Sequence, residues 1–239
     1  MRYRTGRAVT IAVGMAFGAS IGLASAASLN LVAHNLTPYR TCTVTATPVA
    51  TISVIDAGVR QANATSNFGN VTSLDIASGN GANRRTYLRF DLTNCVPAIP
   101  ASAIVRLATL RLYLTAVPAV CRTIDLFPVT SSWTELGITW NNQPVGTSIN
   151  NPPTASRTGS FDVGTPVGCQ NRTTGAYVVG GTITSDVASF VTGGASNFGW
   201  MLRDDVEGSA TTRTVTISSK QLGTIAQAPQ LVVTYVAVP

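Results

Sequence analysis

The chain has 239 residues, 45% of them hydrophobic and only 11% charged. This balance excludes a disordered, fibrous or coiled-coil chain. The formal charge of +6 comes from fifteen arginines and one lysine, Lys220, against ten acids; without the three arginines of residues 1–26 it is +3, too mild for a nucleic-acid binder.

The first element in chain order is a targeting segment. "MRYRTGR" carries three arginines, "AVTIAVGMAFGASIGLA" is apolar and rich in small residues, and Ala24-Ser25-Ala26 offers a cleavage site. Residues 1–26 are therefore predicted to be a cleaved signal peptide, and no other stretch suits a membrane span. Cleavage removes three bases and no acid, leaving a formal charge of +3. Residues 27–49 read as a polar, threonine-rich lead. Residues 50–239 read as one domain, since no repeat of fixed period and no Pro- or Ser-rich linker divides them.

Short alternating runs separated by Gly, Asn and Pro clusters predict strands near 51–55, 72–77, 84–92, 104–115, 122–130, 159–163, 175–180, 198–203, 211–218 and 229–236. One segment departs from this pattern. In "TITSDVASFVTGG", Val187, Phe190 and Val191 recur at helical spacing, with Thr184 to cap the start and Gly193 to end it. The expected fold is all-β: a single antiparallel β-sandwich of jelly-roll type with one short helix.

Two of these runs carry the candidate site. In "RRTYLRFDL" (84–92) a period of two puts Leu88, Phe90 and Leu92 on one face and Arg85, Tyr87, Arg89 and Asp91 on the other. In "ATLRLYLT", Leu110, Leu112 and Leu114 oppose Thr109, Arg111 and Tyr113. If the two strands are sheet neighbours, Arg85, Tyr87, Arg89, Arg111 and Tyr113 line one exposed face. Guanidinium forks pair bidentately with carboxylates, and tyrosine rings cover the apolar side of a pyranose, so such a face suits a uronic polysaccharide. The competing reading is a solvated sheet face whose arginines pair with Asp91 and its neighbours.

Cys42, Cys95, Cys121 and Cys169 form an even set in a secreted chain, which predicts two disulfides. Three pairings are open, and Cys42–Cys95 with Cys121–Cys169 is the one expected. Their spacing lacks C-x-x-C, so zinc is not expected. Trp133, Trp140 and Trp200 read as packing residues with their indole N–H groups bonded to backbone. Asn141 and Asn142 read as turn residues. "RDDVEG" gathers Asp204, Asp205 and Glu207 without calcium-loop spacing. Pairing with Arg203 or Arg213 is expected there and no cofactor, although a structural calcium stays open. Catalysis finds no motif: the one histidine, His34, lies in the lead, and no pair of carboxyls is marked out.

"NRRTYLRFDL", "IPASAIVRLATLRLYLT", "IDLFPVTSSWTELGITWNNQP", "ITSDVASFVTGGASNFGWMLRDD" and "APQLVVTY" occur in the order seen in DNRLRE-domain proteins, and the chain resembles that group, which is similar to carbohydrate-binding module family 96. The resemblance spans roughly residues 50–236. It implies a secreted jelly-roll sandwich that binds without catalysis, with alginate-like uronic polysaccharide as ligand class. The partner implied is thus an anionic polysaccharide, not nucleic acid or a membrane. The chain departs from the usual family context in its four cysteines and in standing without a catalytic domain. A structural or adhesive extracellular module that binds no sugar is the alternative.

Overall fold

The computed structural model describes residues 38–46, 53–144, 146, 148, 157–171 and 178–238. The expected signal peptide, most of the expected lead and the first part of the strand expected at 175–180 lie outside the described residues. Contacts divide the chain into Met1–Leu36 and Thr37–Pro239, and every described residue belongs to the second unit.

Twelve strands and one α-helix are seen among the described residues, with four short 3-10 turns. A strand the alternation did not suggest, β1 (Tyr39–Thr45), lies inside the stretch expected as a lead. It is followed by β2 (Val54–Arg60), β3 (Ser73–Ser78), β4 (Arg84–Phe90) and β5 (Ile104–Leu112). Then come β6 (Leu114–Ala116), β7 (Arg122–Pro128), β8 (Gly159–Val163) and β9 (Val178–Thr182). The chain closes with α1 (Thr184–Thr192), β10 (Trp200–Asp204), β11 (Arg213–Ser218) and β12 (Gln230–Val236).

The strands form two sheets, β1-β12-β5-β9 and β6-β11-β3-β4-β10-β7-β8, with β2 paired to β4. Every pairing between named strands is antiparallel. The expected β-sandwich is present, and the larger sheet curls into a half-barrel. The main core lies between the sheets. Val44, Leu110, Leu231, Val233 and Tyr235 of the four-stranded sheet meet Leu74, Ile76, Leu88, Phe90, Leu126 and Trp200 of the larger one. The alternation in "RRTYLRFDL" therefore points Leu88 and Phe90 inward as expected.

The helix runs over the predicted residues, but its start differs. Thr184 is its first residue rather than its cap, and its Oγ1 accepts a hydrogen bond from the Ala108 N–H at 3.0 Å. Gly193 ends the helix in the left-handed conformation, with its N–H donating to the Phe190 carbonyl. Val187 anchors the helix in the core, and the Phe190 ring packs 5.5 Å from that of Trp200. Both disulfides have the expected pairing, Cys42–Cys95 and Cys121–Cys169. The first fastens β1 to the turn after β4.

The larger sheet carries a second hydrophobic layer on its outer side. Ala57, Val59, Tyr87, Phe127 and Met201 project from its strands. The segment after β7 lies over them, contributing Val129, Trp133, Ile138 and Trp140. The turns of that segment are held by side chains. Asn142 Oδ1 accepts from the Thr139 N–H at 2.6 Å, and its Nδ2 donates to the Gly137 carbonyl at 2.9 Å.

Candidate functional site

The expected continuous Arg/Tyr face does not form. β4 and β5 belong to different sheets, so Arg111 and Tyr113 are not neighbours of Arg85, Tyr87 and Arg89. The connection between the two strands crosses from one layer of the sandwich to the other.

Two of the five residues are also covered. Arg85 is 2% exposed and Tyr87 is fully buried, because the segment after β7 closes over their side of the sheet. Arg85 Nε and Nη2 donate to the two carboxylate oxygens of Glu207, each at 2.8 Å. Nη1 donates to Gln143 Oε1 at 3.1 Å and to the Gly146 carbonyl at 2.8 Å, and Nη2 also donates to the Ser148 carbonyl at 2.7 Å. These bonds use all five guanidinium protons. The guanidinium lies 4.6 Å from the centre of the Trp140 ring. Tyr87 donates its hydroxyl proton to Gln143 Oε1 at 2.9 Å and meets Trp133 edge-on at 5.5 Å. Arg85 and Tyr87 thus tie the covering segment to the sheet.

Glu207 also accepts from Arg203 Nη1 at 3.2 Å, in line with the expected pairing of the acid cluster with Arg203. Asp204 is held by Arg122. Among the described residues no three His, Cys, Asp or Glu side chains are grouped to hold a metal ion. The tryptophans are packing residues: Trp133 Nε1 donates to the Phe198 carbonyl at 2.8 Å, and Trp200 Nε1 to Asp186 Oδ2 at 2.7 Å. The backbone partner expected for Trp200 is instead a carboxylate.

A polar cluster around Lys220 joins β2 to the covering segment. The Lys220 N–H donates to Asp56 Oδ2 at 2.8 Å, and Nζ donates to the Val54 carbonyl at 2.7 Å and to Glu135 Oε2 at 2.8 Å. Burial pushes the Asp56 carboxyl up to about 7, against the lowering effect of the Lys220 N–H bond.

Arg89 stands apart from Arg85. It is half-buried, its guanidinium lies 6.0 Å from the centre of the Trp133 ring, and no carboxylate of the described residues lies within ion-pair distance. It borders a hollow of about 370 Å³ with Ile55, Phe90, Asp91 and Asn197. Asn197 Nδ2 donates to the Phe90 carbonyl at 2.7 Å, while its buried Oδ1 has no partner among the described residues. Asp91 Oδ1 accepts from the N–H and hydroxyl of Thr93. The loop that carries Asn197 also edges a second hollow of about 370 Å³, between Val129, Thr130, Asp186, Ser189 and Phe190.

Gly199 fixes this loop against β4. Its φ is +77°, and a Cβ there would fall 2.0 Å from the Leu88 carbonyl oxygen, so only glycine permits the approach. Asn197 escaped the sequence reading because "ASNFGW" has no periodicity to mark it. The Gly before Trp200 was the one available signal.

Chemically, the Arg89 hollow offers guanidinium donors, a carboxylate and the apolar side chain of Ile55. Such a set can hold a carboxylate and hydroxyls against a small apolar surface. Of the remaining expected residues, Arg111 is half-buried in the four-stranded sheet and donates to Gln230 Oε1 at 3.1 Å, and Tyr113 is 8% exposed between β5 and β6. A search of curated proteins finds no match. The family model for carbohydrate-binding module family 96 matches residues 47–235, which contain all but the first strand of the sandwich. The chain belongs to carbohydrate-binding module family 96.

Proposed function

We propose that this chain is a secreted, non-catalytic module that binds an acidic polysaccharide of the uronic type, and that the Arg89 hollow is a point of contact. The observation that carries this reading is the Arg89 guanidinium, which faces a cavity without a carboxylate partner among the described residues. A uronic acid supplies the missing carboxylate, and Asp91 can accept from its hydroxyls. The apolar N-terminal run and the two disulfides support secretion, since disulfides persist in oxidising compartments.

One observation favours the alternative of a structural module without sugar binding: Arg85 and Tyr87, two of the five expected contacts, are buried and hydrogen-bonded within the fold. Affinity electrophoresis separates the readings. In gels containing alginate, pectate or a neutral glucan, the mature protein should be retarded by the uronic polymers, less so as salt rises. Arg89→Ala should weaken the retardation. Equal mobility in every gel at low salt would sink the proposal.

A further inference from the structure

The outer side of the four-stranded sheet has no covering layer among the described residues, and its composition is unusual. Strand register places four rows on it: Tyr39–Val236–Ile104, Thr41–Thr234–Leu107, Thr43–Val232–Thr109 and Thr45–Gln230–Arg111. Tyr39 is 69% exposed, and Ile104 and Leu107 are 44% and 48% exposed. A bulge between Leu107 and Val105 leaves Arg106 outside the register and exposed. None of the chain's ten acids lies in β1, β5, β9 or β12, whereas Arg40, Arg106 and Arg111 do. In the larger sheet several strand arginines are paired with acids: Asp75 holds Arg60 and Arg84, Glu207 holds Arg85 and Arg203, and Asp204 holds Arg122.

We infer that this outer face is a second docking surface, and that its occupant is another anionic polysaccharide chain. The rows run roughly 20 Å along the strands, by the usual rise per residue. They offer an exposed tyrosine ring and branched apolar side chains for pyranose faces, and threonine hydroxyls for sugar hydroxyls. Arginines near both ends suit carboxylates. A second copy of the chain is disfavoured as occupant, because stacking two such faces brings positive charges together with no acid between them. The Arg89 hollow opens on the opposite side of the sandwich, because Arg89 leaves β4 on the side away from the main core. One molecule therefore bridges two polymer chains. This inference rests on the reading of the domain as a binder of acidic glycans.

The test is calorimetric titration of the mature protein with a uronic tetrasaccharide from alginate at low salt, beside viscometry of the intact polymer. The face variant is Tyr39→Ala with Arg106→Ala, both exposed, so its melting temperature should match the wild type. The expected result is two sites in the wild type, one in the face variant and one in Arg89→Ala. Wild-type protein should thicken or precipitate alginate, and either variant should lose that effect while still binding. One site in both wild type and face variant overturns the second surface and leaves the Arg89 reading intact. Loss of all binding in the face variant, with Arg89→Ala unaffected, upholds the surface and refutes the hollow. A reversible dimer seen by sedimentation, broken by the face variant and indifferent to the tetrasaccharide, overturns the inference in favour of a second copy.

Discussion

The two outer faces of this sandwich are built alike in sequence and finish differently. Both come from strands that alternate apolar residues with Arg, Thr or Tyr. On the larger sheet the outward set of β4 becomes the floor of a second hydrophobic layer, roofed by Trp133, Ile138 and Trp140. On the four-stranded sheet the outward rows carry no such roof among the described residues, and Tyr39 stands 69% exposed. Alternation fixes which side of a sheet a residue takes. Whether that side meets water depends on a segment elsewhere in the chain.

The sharpest way to break this comparison is at Arg85. If its guanidinium ties the covering segment to the sheet, Arg85→Ala leaves Glu207 buried with one partner fewer and should cost about 3–5 kcal/mol. For a domain of this size that is a fall in melting temperature on the order of 10 °C. A loss under about 1 kcal/mol in chemical denaturation would mean that the roof is held by packing alone.

The disulfides come next in size. Each should contribute about 2–4 kcal/mol, and Cys42–Cys95 fastens the edge strand of the bare face. Replacing both cysteines by alanine should lower the melting temperature and speed proteolysis at β1 before the covered side is attacked. Simultaneous cleavage on both sides would argue that the faces share one cooperative unit.

A smaller effect lies under the covered side. Asp56 is buried, with its carboxyl pushed up to about 7, and the charged groups beside it are Glu135 and Lys220. The folded state therefore holds the proton more tightly than the unfolded chain, whose value is near 3.8. Stability from this group falls as pH rises from about 4 to about 7 and then levels off. The loss between pH 5 and pH 8 should be roughly 2–3 kcal/mol. Asp56→Asn keeps an acceptor for the Lys220 N–H and should flatten that part of the profile. An unchanged profile would show that Asp56 stays ionised and is satisfied by its neighbours.

The residues explain how far the sequence could be read. Most of the strands, the helix span, both disulfides and the inward direction of Leu88 and Phe90 follow from periodicity, turn residues and cysteine number, all local or nearly local signals, although the strand expected near 51–55 runs over Val54–Arg60. β1 was hidden because "YRTCTVT" follows a polar lead and pairs only with β12, which comes near the end of the chain. Arg89 keeps the partly open placement read from the alternation and Arg85 and Tyr87 do not, although all three share one side of one strand. Their difference comes from Glu207, Gln143 and Trp140, residues 55 to 122 positions away, which no pattern within the strand can reveal. Asn197 was invisible for the same reason: its place beside Arg89 depends on the Gly199 approach to β4.

The smallest expected change in stability belongs to Arg89, and it bears on the central claim. Arg89→Ala removes a half-buried guanidinium and a long cation–π contact, so it should cost less than about 1 kcal/mol of stability. The direct measurement is the affinity of this variant and of the wild type for a uronic tetrasaccharide at low salt, with melting curves taken on the same samples. Affinity at the Arg89 site should fall about tenfold or more, as expected for losing a charged hydrogen bond to a carboxylate, with the melting temperature nearly unchanged. Undiminished affinity at every site in a folded Arg89→Ala protein would contradict it.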